Sequence, residues 1–248
     1  MTIGVCAHRG DNKCAPENTV PAFELAASKG AHQIELDVDM SADGRLAIMH
    51  DTTVDRTTNG SGPLKELQFE QLRRLDAGAW KGPQWAGTRI PKFREAIQAI
   101  PEHIQVNCHI KPGTGIAAEA TRQLVDMQRL DQCFLACSIE QAAEAKAVCP
   151  QVRICNMSNQ SGPETGYAHE TIQIGAEYIQ LYGWHDCMPQ TCALLRQHGI
   201  TINYFGTSDP LFFRKLLEAG VQYPLTDDLD GMIAVLHEMG VPLATQGD

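Results

Sequence analysis

The chain has 248 residues, 43% of them hydrophobic, enough to bury a large core in one α/β domain or in two small ones. Its formal charge of −10 argues against a surface built for nucleic acid or anionic lipid, so any anion site must be basic only locally. Nine cysteines, an odd number scattered without a CxxC pair, suggest neither a disulfide framework nor a thiolate zinc site.

The start, "MTIGVCAHRG", lacks the basic region and long apolar stretch of a signal peptide, and no window reaches the length of a membrane span. A cytoplasmic protein without stable membrane insertion is expected, with self-association into a homo-oligomer left open. The first strand, "TIGVCAH", ends on His8. Arg9 and a loop rich in Gly, Asn and Pro then lead to the helical period of "ENTVPAFELAASKG".

In "QIELDVDM", Ile34, Leu36, Val38 and Met40 form an apolar face for helices, which turns Gln33, Glu35, Asp37 and Asp39 toward the opposite, inward side. Burying several carboxylates on one inward face costs several kcal/mol each unless a cation compensates, so a bound metal is implied. The following "SADG" is too short for a crossover helix, and "RLAIMH", ending at His50, is therefore an antiparallel neighbour. A long segment, 51–92, comes next. Its Trp80 and Trp85 either wall the mouth of a site or fix the segment to the body of the fold.

Repeated strand–helix units follow: "HIQVNCHI" with "GIAAEATRQLVDMQRL", "QCFLACS" with "IEQAAEAKAVC", "QVRICNM", "AEYIQLYG" with "MPQTCALLRQHG", "ITINYF" with "DPLFFRKLLEAG", and "QYPLTDD". Alternation in the first of these puts Asn107, His109 and Lys111 on one side. Tyr182, Trp184 and His185, after "AEYIQL", are candidate substrate contacts. Nine strands compete for the eight places of a (β/α)8 TIM barrel, which the length and the repetition favour, as a single domain over 1–248 with 51–92 inserted. The alternative, a doubly wound open sheet, would carry GxGxxG after the first strand, and "HRGDNK" is not that turn. His8, Arg9, Glu35, Asp37, His50, His109 and Lys111 all fall near C-terminal strand ends, the face on which barrel enzymes place their chemistry. A glycosidase is disfavoured, because Glu35 and Asp37 project from one strand and cannot flank a scissile bond.

Through His8-Arg9-Gly10, Pro16-Glu17-Asn18-Thr19, Glu35-Leu36-Asp37, His50-Asp51 and Asp55-Arg56-Thr57-Thr58, the chain resembles the glycerophosphodiester phosphodiesterase family, densely from Cys6 to Ala96. The resemblance implies a barrel in which Glu35 and Asp37 hold one divalent metal ion, His8 and His50 are the general acid and base, and Arg9 and Lys111 contact phosphate. The implied substrate is a small, soluble glycerophosphodiester, cleaved to glycerol phosphate and an alcohol through a cyclic phosphate. The alternatives are a phosphodiesterase for another small diester and a non-catalytic relative that binds phosphoesters.

Two departures stand out. His109-Ile110-Lys111 occupies the place of the family's E-x-K, so His109 is either a third metal ligand or a structural histidine beside the ligands. As a ligand it would favour Mn²⁺ or Zn²⁺ over Mg²⁺ or Ca²⁺. Phe205-Gly206-Thr207-Ser208 replaces a Trp-Thr-Val-Asn-like segment, making Phe205 a substrate-side residue, and Ser138-Ile139 replaces Ser-Phe. Arg56 is read as the organiser of the long loop.

Overall fold

The structure, a computed structural model, describes residues 3–160 and 164–244. Its strands are β1 (Cys6–Ala7), β2 (Gln33–Met40), β3 (Leu46–Ile48), β4 (Gln105–Ile110), β5 (Cys133–Cys137), β6 (Arg153–Asn156), β7 (Tyr178–Leu181), β8 (Thr201–Tyr204) and β9 (Tyr223–Thr226). The helices are α1 (Val20–Ser28), α2 (Phe69–Leu72), α3 (Phe93–Ala99), α4 (Ile116–Met127), α5 (Ile139–Val148), α6 (Glu164–Gln173), α7 (Met188–Gln197), α8 (Pro210–Ala219) and α9 (Leu229–Glu238).

Every strand except β3 lies parallel to its neighbours, and β1, bonded to both β2 and β9, closes the ring into an eight-stranded barrel. An open doubly wound sheet is thereby excluded. The peripheral ninth strand is β3, antiparallel to β2 in the register Val38 to Ile48 and Met40 to Leu46. The tight turn is closed by the Ser41 N–H donating to the Arg45 carbonyl and by the Gly44 N–H donating to Ser41. Because β3 runs back toward the site, Met49 donates its N–H to the Asp37 carbonyl, which holds His50 near the C-terminal end of β2.

Side-chain alternation sorts the two faces of the barrel wall. Ile34, Leu36 and Val38 are fully buried in one apolar cluster with Phe23 and Ala26 of α1 and Phe93, Ala96 and Ile97 of α3. Burial of each such side chain is worth about 1.5–3 kcal/mol, which fixes the register and so obliges the intervening polar residues to point inward. At the base of the barrel these polar groups satisfy one another. Gln33 accepts from Asn203 and donates to Gln105, and Gln105 donates to the Tyr178 hydroxyl. Higher up, the inward residues of β2 are carboxylates, which neutral partners alone cannot compensate.

Segment 51–92 builds a small core of its own, with Val54, Leu64, Phe69, Leu72 and Ile90 packed on Ala47 of β3 and on Met49. No disulfide joins the cysteines among the described residues, and Cys6, Cys108, Cys133, Cys137, Cys155 and Cys192 are buried. Among the described residues no helix is long and apolar enough to cross a membrane.

The loop after β1 is held against α1. Gly10 adopts φ of +78°, and a Cβ there would lie 2.7 Å from the Ala22 carbonyl carbon. The left-handed backbone and this close approach together demand glycine. Gly10→Ala should therefore lower the free energy of unfolding by about 2 kcal/mol or more in chemical denaturation. An unchanged midpoint would contradict the packing described.

Candidate active site

Strand β2 brings Glu35 and Asp37 two residues apart onto the inward face, where they are 2% and 1% exposed. The parallel register sets Asp37 opposite His109 of β4, and one ligand atom from each of Glu35, Asp37 and His109 lies within 4.8 Å of the others. The two carboxylates are compensated unequally. Asp37 receives Lys111 Nζ at 2.8 Å, His109 Nδ1 at 3.1 Å and Arg9 Nε at 3.4 Å. Burial alone would raise its pKa, but the His109 hydrogen bond and the charges of Lys111, His109 and Arg9 hold it well below the usual range.

Among the described residues Glu35 accepts only the Arg9 backbone N–H, at 2.9 Å, with His109 Nδ1 at 3.9 Å. Burial, and then the charge of Asp37, push its pKa up. A buried carboxylate lacking a full countercharge, facing a second carboxylate and an imidazole, is a donor set that fits a divalent cation. The buried Arg9 Nε has no hydrogen-bond partner among the described residues and meets Asp37 Oδ2 as an ion pair at 3.4 Å.

Both candidate acid/base histidines are tethered through Nδ1 to an aspartate. His8 Nδ1 lies 2.7 Å from Asp227 Oδ1, and His50 Nδ1 lies 2.6 Å from Asp51 Oδ1. Such a tether fixes the ring and leaves Nε2 to do chemistry. Burial depresses His8, but the Asp227 hydrogen bond and the charge of Glu35 outweigh it, and its pKa is raised. For His50 burial outweighs the Asp51 bond, so its pKa is lowered. Asp227 is itself drawn down to about 2, chiefly by the hydrogen bond from His8.

A second tier holds these groups in place. Arg56, from the inserted segment, donates to Asp51 through Nε at 2.6 Å and NH2 at 2.9 Å, and to Glu17 through NH1 and NH2 at 2.8 Å each. Glu17 in turn accepts from Arg9 NH1 at 2.8 Å. One guanidinium thus orients both the tether of His50 and the arginine beside Asp37. His8, Arg9, Glu35, Asp37, His50 and His109 line a single pocket of about 120 Å³. Its apolar side comprises Met157, Phe205 and Leu225. Phe205 meets the His8 ring edge-on, with centroids 5.5 Å apart, and Tyr182 lies 6.0 Å beyond it.

A profile of the glycerophosphoryl diester phosphodiesterase family matches residues 8–241. The chain belongs to that family. It is 30% identical over 246 residues to a glycerophosphodiester phosphodiesterase of Caldanaerobacter subterraneus subsp. tengcongensis, covering 97% of this chain and all of the relative. The crystal structure of a glycerophosphodiester phosphodiesterase from Agrobacterium tumefaciens superposes with a TM-score of 0.80 at 28% identity, over 94% of this chain and all of the other. An Oleispira antarctica phosphodiesterase, solved with the product sn-glycerol-3-phosphate, gives 0.82 at 25% identity, over 94% and 96% of the two chains.

In this member of the glycerophosphoryl diester phosphodiesterase family, His8, Glu35, Asp37 and His109, which strand alternation turns inward, line the pocket, whereas Gln33 bonds Gln105 and Asn203 at the base, Asn107 faces Gln180 and Asp39 pairs with Lys65 at 3.7 Å. Lys111 lies behind the pocket on Asp37, Trp80 borders a neighbouring cleft, and Trp85 closes a turn inside the inserted segment through its carbonyl to Thr88. Trp184 packs edge-on against Phe212 and under Lys215, and Ser138 caps α5. Sequence reasoning missed Asp227, whose only signal was its place one residue after the last strand. It also missed the role of Asn18. That residue, at φ of +58°, donates Nδ2 to Asp37 Oδ2 at 2.7 Å and accepts the Asp37 N–H at 3.1 Å.

Asn18 therefore clamps the carboxylate from both ends while tolerating left-handed backbone. Asn18→Ala should destabilise the fold by about 3 kcal/mol, since it strips a buried carboxylate of a donor and leaves its N–H unpaired. Denaturant titration showing no loss would contradict the clamp.

Proposed function

We propose that the protein hydrolyses a glycerophosphodiester to glycerol phosphate and an alcohol, with one divalent metal ion at Glu35, Asp37 and His109 and with His8 and His50 exchanging protons with the substrate. The observation that carries this reading is the shared pocket: two aspartate-tethered histidines and a cation-ligating trio line one cavity of about 120 Å³. The Oleispira relative, solved with sn-glycerol-3-phosphate, supports that product.

The ion, when bound, would neutralise the non-bridging phosphate oxygens that otherwise repel an attacking oxygen. An imidazole ligand in place of a carboxylate makes the site one unit less negative and favours Mn²⁺ or Zn²⁺ over Mg²⁺ or Ca²⁺. Arg9 and Lys111 add positive charge on the same side. Met157, Phe205 and Leu225 form a wall for the carbon skeleton of the glycerol.

One histidine takes the proton of the glycerol hydroxyl vicinal to the ester as its oxygen bonds to phosphorus. The other gives a proton to the alkoxide as the phosphorus–oxygen bond to the alcohol breaks. Water then opens the cyclic phosphate with the two roles reversed. The chemistry needs one imidazole protonated and one neutral. With His8 raised and His50 lowered, the singly protonated pair dominates between the two titrations.

Purified protein supplied with Mn²⁺ or Zn²⁺ should release glycerol phosphate from a glycerophosphodiester, and His8→Ala or His50→Ala should each lower kcat about 10²- to 10⁴-fold. The pH profile of kcat/KM should be bell-shaped. Asp227→Asn should move its alkaline limb to lower pH, because the charge that retains the His8 proton is gone. A flat profile, or full activity in either alanine variant, would contradict the assignment.

A further inference from the structure

Beside the reaction pocket lies an open cleft of about 540 Å³. Asp227 joins the two, since its Oδ1 holds His8 while its side chain also lines the cleft. The inserted segment contributes Trp80 and Lys81 to the opposite wall, and Lys81 Nζ ties that wall to the loop after β1 by donating to the Asn12 carbonyl at 2.6 Å. The reaction pocket and this cleft meet at Asp227, so a diester whose phosphate and glycerol arm occupy the pocket has the cleft as adjoining space for its other arm.

The cleft's charges identify what that arm is. Its carboxylates are already matched: Asp228 by Lys13 at 2.7 Å, Asp227 by His8, and Glu17 by Arg9 and Arg56. Lys81 has no carboxylate partner among the described residues, and its ammonium stands 5.7 Å over the Trp80 ring. Among the described residues Lys81 is thus the one charged side chain of the cleft lining with no oppositely charged partner, and it sits where a trimethylammonium group would need an open aromatic face. Hydrogen-bonding capacity, by contrast, remains free in both senses. Lys81 spends one of its three donors on Asn12, Asp227 and Asp228 each make their contacts through Oδ1 only, and Ser208 adds a hydroxyl. Trp80, 40% exposed and fixed by its Nε1 donating to the Ala77 carbonyl, supplies an apolar wall for C–H faces.

We propose that this cleft receives the leaving alcohol and selects a polyhydroxylated one, of the glycerol or inositol type, over a quaternary ammonium alcohol of the choline type. The inference rests on the diesterase activity proposed above. Hydroxyls accept from Lys81 and donate to the free Asp227 and Asp228 oxygens, whereas a fixed cation meets Lys81 head-on.

The test compares kcat/KM for glycerophosphoglycerol, glycerophosphoinositol and glycerophosphocholine in the wild type, Lys81→Ala and Lys81→Arg, with thermal melting to establish that each variant is folded. The wild type should prefer the polyol esters by about tenfold or more. Lys81→Ala should narrow that ratio, and Lys81→Arg should restore most of it. Equal or better use of the choline ester by the wild type, or a ratio unmoved in Lys81→Ala, would overturn the subsite while leaving the activity intact. Absence of turnover on all three diesters would overturn the activity and the subsite together.

Discussion

Two carboxylates sharing one buried face of β2 set the terms for everything around them. Glu35 and Asp37 are almost wholly removed from solvent, and the apolar residues between and beside them, Ile34, Leu36 and Val38, lock their direction. Rotating the strand by one residue would expose that apolar face and bury the helix-facing side against charge, so the fold cannot relieve the repulsion by slipping. It compensates Asp37 with Lys111, His109 and Arg9, and leaves Glu35 short of charge. That asymmetry separates a cation site from an ordinary buried ion pair, in which both partners would be matched.

The groups that would act on a substrate are held by the same logic of directed charge. Each histidine is pinned through Nδ1 by an aspartate, and Arg56 reaches from the inserted segment to brace Asp51 and Glu17 at once. The segment is thus more than a cover. Its own small core around Phe69 and Leu72 gives Arg56 a rigid base, and its Trp80 and Lys81 close one side of the cleft beside His8. The proposed binding, proton transfer and choice of alcohol would all draw on a single connected set of side chains.

Much of this was legible in the sequence, because period-two alternation is a local signal. The inward set on β2, the grouping of Asn107, His109 and Lys111, and the antiparallel return through "SADG" all follow from residues a few places apart. Contacts between distant positions were not legible. Asp227 meets His8 across 219 residues, and only closure of β1 against β9 brings them together. The identity of β3 as the peripheral strand needed the whole ring to be counted. Asn18 was visible as part of a motif, but its grip on Asp37 depends on a left-handed backbone that no periodicity announces. Arg56 was read as the organiser of the long loop; its partner Asp51 is five residues away in the chain, while Glu17, 39 residues away, is met only when the inserted segment folds back toward the loop after β1.

The central claim is that the unequally compensated pair on β2 is a metal site completed by His109. Its most direct test is equilibrium titration of metal-stripped protein with Mn²⁺, Zn²⁺ and Ca²⁺, followed by calorimetry, for the wild type and for Asp37→Asn. Binding of about one ion per chain, tighter for the transition ions than for Ca²⁺ and lost in the variant, is the expected result. No binding by folded wild-type protein, or equal binding by Asp37→Asn, would contradict it.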